Sequence, residues 1–123
     1  MGNLLVVGSV AFDSVRTPFG EAPNVLGGSA TYFSTSASFF TDVNLIAVVG
    51  EDFPEEHLEF LRSRGIDLEG LEQRPGKTFR WRGEYSYQLN EAQTLETQLN
   101  VLETFRPKIP ARYTTPSALF LGN

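Results

Sequence analysis

Gly27-Gly28 constrains this chain more than any other pair of residues. A glycine pair directly ahead of a helical pattern opens backbone conformations closed to other residues and lets main chain approach a ligand closely. Ser29 suits an N-cap, and Ala30, Phe33, Ala37 and Phe40 follow at i, i+3, i+7 and i+10, one apolar stripe at helical spacing. The predicted helix is rich in small residues, and its first turn offers unpaired backbone N–H groups beside the glycines. Asn44 to Val49 is then a short apolar, β-branched run ending at Gly50, which predicts a strand covered on both faces, and Glu51-Asp52 makes an acidic turn. Glycine turn, helix, strand and turn are one half of an α/β fold.

Size and charge narrow the partners. A chain of 123 residues holds one domain at most, and a hydrophobic fraction of 41% with ten Phe predicts a folded core. A net charge of -5 and a pI near 4.8 give no basic footprint, which argues against nucleic acid and anionic membrane as partners. The absence of cysteine excludes disulfides, thiolate metal sites and cysteine nucleophiles. No basic leader and no 18-residue apolar run is present, so a cytoplasmic protein is the expectation.

Asn3 to Gly8 reads as a first parallel strand, and Asp13 comes where the chain leaves its carboxyl end, the side on which open α/β sheets bind ligands. On the residues alone Asp13 is a turn aspartate or a ligand group. Pro18, Gly20 and Pro23 predict an extended excursion over 14–26 with a turn near Gly20. Pro54 to Arg64 reads as a helix with Pro near its first turn, Glu55 and Glu56 at its positive end, Gly65 as its stop, and Leu58, Leu61 and Phe60 inward. His57 on that helix has no second ligand at metal spacing and reads as a solvated residue, so no metal site is expected. Thr78 to Tyr87 alternates with period two, Phe79, Trp81, Tyr85 and Tyr87 on one side and Arg80, Arg82 and Glu84 on the other, which predicts a strand. Leu95, Leu99 and Leu102 fit a helix while Leu95, Thr97, Leu99 and Val101 fit a strand, and the pattern does not decide. Pro107 and Pro110 break any regular element over the next residues, and Ala118 to Leu121 is a last apolar strand.

Two glycine motifs are decoys. Gly70 to Thr78 has five residues between its glycines where a phosphate-binding P-loop has four, and a strand comes after it. Val10 stands where a dinucleotide fingerprint at Gly8 needs its second glycine. No Ser-His-Asp set and no helical pair of carboxylates is available.

The stretch from Asn24 to Asp52 resembles the first signature of the pfkB-family, ribokinase-like carbohydrate kinases: a glycine pair, a small-residue helix, a strand, and a closing glycine with an acidic residue and Asp. Gly8 to Asp13 is similar to the family's first strand and turn, and Gly76 to Trp81 to its lid sequences. The resemblance implies an α/β fold with a parallel sheet flanked by helices, present in part, and a small β lid formed by segments of about 14–26 and 78–103, the second lid strand coming after a turn at Asn90-Glu91. It implies that Asp13, Gly27, Gly28 and the position of Tyr32 contact the sugar, with Arg80 and Arg82 on the lid. Ala11 and Tyr32 stand where the family often has Asn, which leaves the particular sugar open. The family's nucleotide clamp and its Gly-x-Gly-Asp motif, which carries the base, lie in a carboxyl-terminal half that this chain does not match. The expectation is therefore the substrate-binding half of an ATP- and Mg²⁺-dependent sugar or nucleoside kinase, with no catalytic residue of its own, no cofactor bound by these residues, no activity alone, and self-association into a dimer or larger species through the lid or the sheet edge. The competing reading is a non-catalytic α/β interaction module whose strand 78–87 is a pairing edge.

Overall fold

A computed structural model describes residues 3–123. Two sheets share the chain. The first is parallel and built around the unbroken apolar run predicted at 44–49: β4 (Asp42–Gly50) lies beside β1 (Asn3–Val7), whose other neighbour is β9 (Ala118–Leu121). The far edge of β4 is completed by β5 (Ile66–Asp67) against Val43 and Asn44 and by β6 (Leu71–Arg74) against Ala47 to Gly50. The second sheet holds β3 (Gly20–Gly27), β2 (Ala11–Thr17), β7 (Phe79–Tyr85) and β8 (Ala92–Gln98), in that order. β2 and β3 form a hairpin, β7 joins β2 in parallel, and β8 returns antiparallel to β7.

β4 is buried because both of its faces are covered, as a parallel strand's must be. Val43, Leu45, Ala47 and Val49 pack with Val6, Ala30, Phe53, Leu61 and Ile66 under the helices α1 (Ser29–Ala37) and α2 (Glu55–Ser63). Ile46, on the other face, packs with Leu5 and Tyr113. At β9 the two faces differ. Phe120 stacks on Phe33 of α1 at 3.6 Å between ring centroids, whereas Leu119 and Leu121, beside Leu5 and Val7, are 55% and 70% exposed. No helix among the described residues is long and apolar enough to cross a membrane.

Several sequence expectations change. Gly28, with φ 95°, occupies the N-cap of α1, and Ser29 is the first helical residue. The first amides of that helix are not free: Ser29 N–H donates to Ser9 Oγ at 3.1 Å and Ala30 N–H to Ser9 O at 2.9 Å. α1 ends at Ala37, so the apolar stripe stops short of Phe40, which is 87% exposed. Pro54 is the N-cap of α2, Phe60 points outward, and His57 is half-buried against the rings of Phe12 and Phe53 instead of solvated. Residues 14–26 form the β2–β3 hairpin, extended with a turn at Pro18-Phe19 beside Gly20 as expected and with a slip in its pairing between Asp13 and Val15, and the open choice at 92–98 resolves to strand, with a 3₁₀ turn after it over Asn100–Thr104.

Candidate functional site

Asp13 is placed by what surrounds the exit from β1. The chain leaves the parallel sheet at Gly8, turns through Ser9 and Val10, and enters β2, while Gly27-Gly28 brings β3 back to the same point and starts α1. Close approach decides the residue types. A Cβ on Gly27 would lie 2.1 Å from Asp13 Oδ2, and one on Gly28 would lie 2.5 Å from Ser9 O. The glycine pair is thus a cradle for the Asp13 carboxylate, as its conformational freedom and lack of side chain permit. Burial raises the Asp13 pKa above its ordinary value, and a hydrogen bond from Gly28 N–H works against that shift.

The face around Asp13 is aromatic. In the parallel pairing of β2 with β7, Asp13 is level with Trp81 and Val15 with Gly83, so these side chains share one face of the second sheet. The Trp81 ring lies across Gly83, where a Cβ would come within 2.1 Å of it, and Trp81 Nε1–H donates to Thr94 Oγ1 at 3.2 Å. Tyr32, on the first turns of α1, is 61% exposed. Its phenol pKa is raised by burial first, then by the neighbouring Asp13 carboxylate and Tyr85 phenol. Asp13, Gly27, Gly28 and Tyr32 are therefore brought together.

Arg80 and Arg82 are not brought to that group. Arg80 is level with Phe12 and Arg82 with Ser14, which puts both on the opposite face. Arg82 pairs with Glu96 at 3.4 Å. Arg80 lies over the Phe12 ring, donates to Asn24 Oδ1 at 2.8 Å and pairs with Asp52 at 3.0 Å. The period-two alternation of 78–87 already separates these arginines from the aromatic side. Sequence reasoning missed Asp52 as an organiser and did not single out Trp81, which the pairing sets level with Asp13; the usable signal for Trp81 was that same alternation.

Both glycine-rich segments have backbone groups engaged within the chain. The α1 amides are engaged by Ser9, and in the 70–78 segment Gly76 O accepts from Glu51 N–H at 3.0 Å while Thr78 N–H and Oγ1–H donate to Asp52 Oδ1 at 2.8 and 2.7 Å.

The fold is matched closely by a solved ribokinase from Cryptococcus neoformans in complex with ADP, with a TM-score of 0.78 at 20% identity over 98% of this chain and 42% of that one. The chain has the ribokinase-like fold. A nucleoside kinase from Burkholderia thailandensis in complex with inosine superposes with a TM-score of 0.67 at 16% identity, covering 79% of this chain and 36% of that one. In sequence the chain is 38% identical over 79 residues to the cytidine kinase of Thermococcus kodakarensis, a match covering 63% of this chain and 28% of that protein. No protein-family model matches. The ribokinase-like architecture accounts for the parallel sheet and the attached four-stranded sheet together. The chain spans less than half the length of each of these proteins.

Proposed function

We propose that these residues are the acceptor-binding part of an ATP-dependent kinase that phosphorylates a hydroxyl of a sugar or nucleoside. The observation that carries this reading is the Asp13 carboxylate, half-buried in a glycine cradle at the carboxyl end of a parallel sheet, on a face bearing Tyr32, Trp81 and Tyr85. An ionised carboxylate is acceptor-only and takes hydrogen bonds from neighbouring hydroxyls, while flat aromatic surface packs against a sugar ring or a base. The similarity to a cytidine kinase and to an inosine-bound nucleoside kinase supports nucleosides among the acceptors. In this reading the four-stranded sheet, including the segments 14–26 and 78–103, is the lid that excludes water over the acceptor. ATP, Mg²⁺ and the general base belong to a part of the protein outside these residues.

In the complete enzyme, Asp13→Ala is expected to lower kcat/KM for the acceptor by about 10- to 150-fold, the equivalent of about 1.5–3 kcal/mol for a charged hydrogen bond, and to leave KM for ATP nearly unchanged. Cytidine, inosine and ribose are the acceptors to compare. Acceptor kinetics indifferent to Asp13→Ala would reduce that residue to a turn aspartate. The 123-residue chain by itself is expected to show no acceptor-dependent ADP release, because positioning of ATP and a general base each contribute orders of magnitude.

The same reading implies that another protein surface covers β9. Leu119 and Leu121 are exposed, on the face that Tyr113 covers only in part. A contiguous apolar surface beside an unpaired strand edge favours association. Sedimentation velocity on the isolated chain should show the weight-average mass rising with concentration, and Leu119→Lys with Leu121→Glu should suppress that rise. A concentration-independent monomer would mean that the exposed leucines are tolerated as they stand.

A further inference from the structure

Residues 76–78 are rooted in the parallel sheet. Gly50 N–H donates to Thr78 Oγ1 at 3.0 Å, and Asn100 Nδ2–H to Thr78 O at 2.9 Å. A Cβ on Gly50 would lie 2.3 Å from Gly76 O, so the two segments touch through backbone. Asp52 extends this root. One carboxylate oxygen takes Thr78 N–H and Oγ1–H, and the other takes Arg80 Nη2–H at 3.0 Å. Burial would raise the Asp52 pKa, but the bonds from Thr78 and Arg80 outweigh it and hold the carboxyl below its ordinary value.

From that anchored end Arg80 reaches across the second sheet. Its Nη1–H donates to Asn24 Oδ1 at 2.8 Å. Asn24 has a φ of 51°, and its N–H donates to Ser14 Oγ at 2.9 Å. These bonds fall where the β2–β3 pairing slips, between Asp13 and Val15. Such an irregularity re-aims the side chains beside it. One oxygen of Asp52 is therefore linked, through a single guanidinium, to the backbone slip next to Asp13. Arg provides the two separate donors that this span needs; Lys has a single charged nitrogen.

We propose that Arg80 is a positioning residue: held between Asp52 and Asn24, it fixes the slip in the β2–β3 hairpin and so sets how deeply the Asp13 carboxylate sits in the Gly27-Gly28 cradle. Its functional weight rests on the acceptor-binding reading of Asp13, but the geometric claim does not, and its test needs neither ATP nor acceptor.

The test is a carboxyl-detected NMR titration of Asp13 in the whole 123-residue chain, with amide exchange of β1 and β4 as the control for folding. The groups facing Asp13 are the Gly28 amide and the Tyr32 phenol, which has Tyr85 as its further neighbour, all retained in the variants. In Arg80→Gln the carboxylate is expected to become better solvated, so its midpoint should fall toward the ordinary carboxylate value. Loss of the Arg80 charge alone would shift the midpoint upward, since removing a nearby cation disfavours a carboxylate. Asn24→Gly keeps the left-handed backbone and the Asp52 pair while deleting the acceptor, and should lower the midpoint in the same direction. Arg80→Lys should restore less than half of the wild-type position. A midpoint that stays put or rises in both Arg80→Gln and Asn24→Gly, with β1 and β4 protection intact, would overturn the proposal and leave Arg80 as a tie between loops.

Discussion

Gly28→Ala is expected to destabilise the chain by about 3 kcal/mol, close to the largest effect of any single methyl added to it. Two costs combine. Gly28 has a φ of 95° and a ψ of 153°, a region essentially reserved for glycine that an L side chain enters only with about 1–3 kcal/mol of strain. The added Cβ would also lie 2.5 Å from Ser9 O and 2.8 Å from Ser9 C. These are backbone atoms and cannot swing away, and Ser9 O is already accepting the Ala30 N–H that starts α1. Overpacking of this kind costs about 1–3 kcal/mol. Gly65→Ala is the control, because Gly65 has a φ of 76° but open space around its Cβ position, so only the conformational cost of about 1 kcal/mol applies. Urea unfolding monitored by Trp81 fluorescence separates the two variants. Equal losses for Gly28 and Gly65 would mean that the Ser9 contact relaxes freely.

The parts of the fold that were legible in the sequence are those where one local rule decides. The run 44–49 is apolar at nearly every position, and a strand buried on both faces needs that. The alternation over 78–87 predicts a strand, which the structure forms over Phe79–Tyr85, and it correctly separates Trp81 from Arg80 and Arg82, while Tyr87 falls in the turn that follows. β5 and β6 were not legible, since two and four residues of mixed polarity carry no period, and their pairing is imposed by the exposed edge of β4. Phe40 was misplaced because its helical spacing continues past the point where the helix stops. At Ser38 the side chain turns back to Thr35 O, at 2.6 Å, and the neighbouring Phe39 receives the Arg64 guanidinium 4.0 Å above its ring. The glycine pair was legible as a close approach, yet what approaches is the chain's own Asp13 and Ser9. Only the three-dimensional path of β1 into β2 brings those residues there. The same holds for Asp52: an acid after a strand is visible, while its partners lie 26 and 28 residues away.

Tyr113→Ala should cost about 3–5 kcal/mol, the loss typical of removing a buried aromatic ring. Tyr113 is 1% exposed and forms, with Leu5 and Ile46, the small cluster that covers the face of the parallel sheet opposite the helices. Few other residues protect that face, so the cavity left by truncation has little to collapse into it. The ring is also held by its hydroxyl, which donates to the Asp67 carboxylate and accepts Gly70 N–H at 3.3 Å. Gly70 can take no larger residue there, as its Cβ would lie 2.6 Å from Leu45 O and 3.0 Å from the Tyr113 ring. Tyr113→Phe keeps the packing and removes only the hydroxyl bonds, for an expected loss of about 1–2 kcal/mol at neutral pH. The pH dependence identifies the partner. Burial would raise the Asp67 pKa, but the bonds from Arg112, Tyr113 and the Glu69 amide bring it below its ordinary value. A carboxyl whose pKa is lower in the folded state contributes its stability above the unfolded value, near 3.9, and loses it as pH falls through the folded value. The difference between wild type and Tyr113→Phe should therefore be full at pH 7 and narrow in acid, as the pH falls through the lowered folded value. Denaturant unfolding of both proteins at pH 7 and in acid measures this directly; a gap that does not change would show that the hydroxyl contributes through Gly70 alone, and a Tyr113→Ala loss no greater than that of Tyr113→Phe would show that the ring covers nothing the sheet needs.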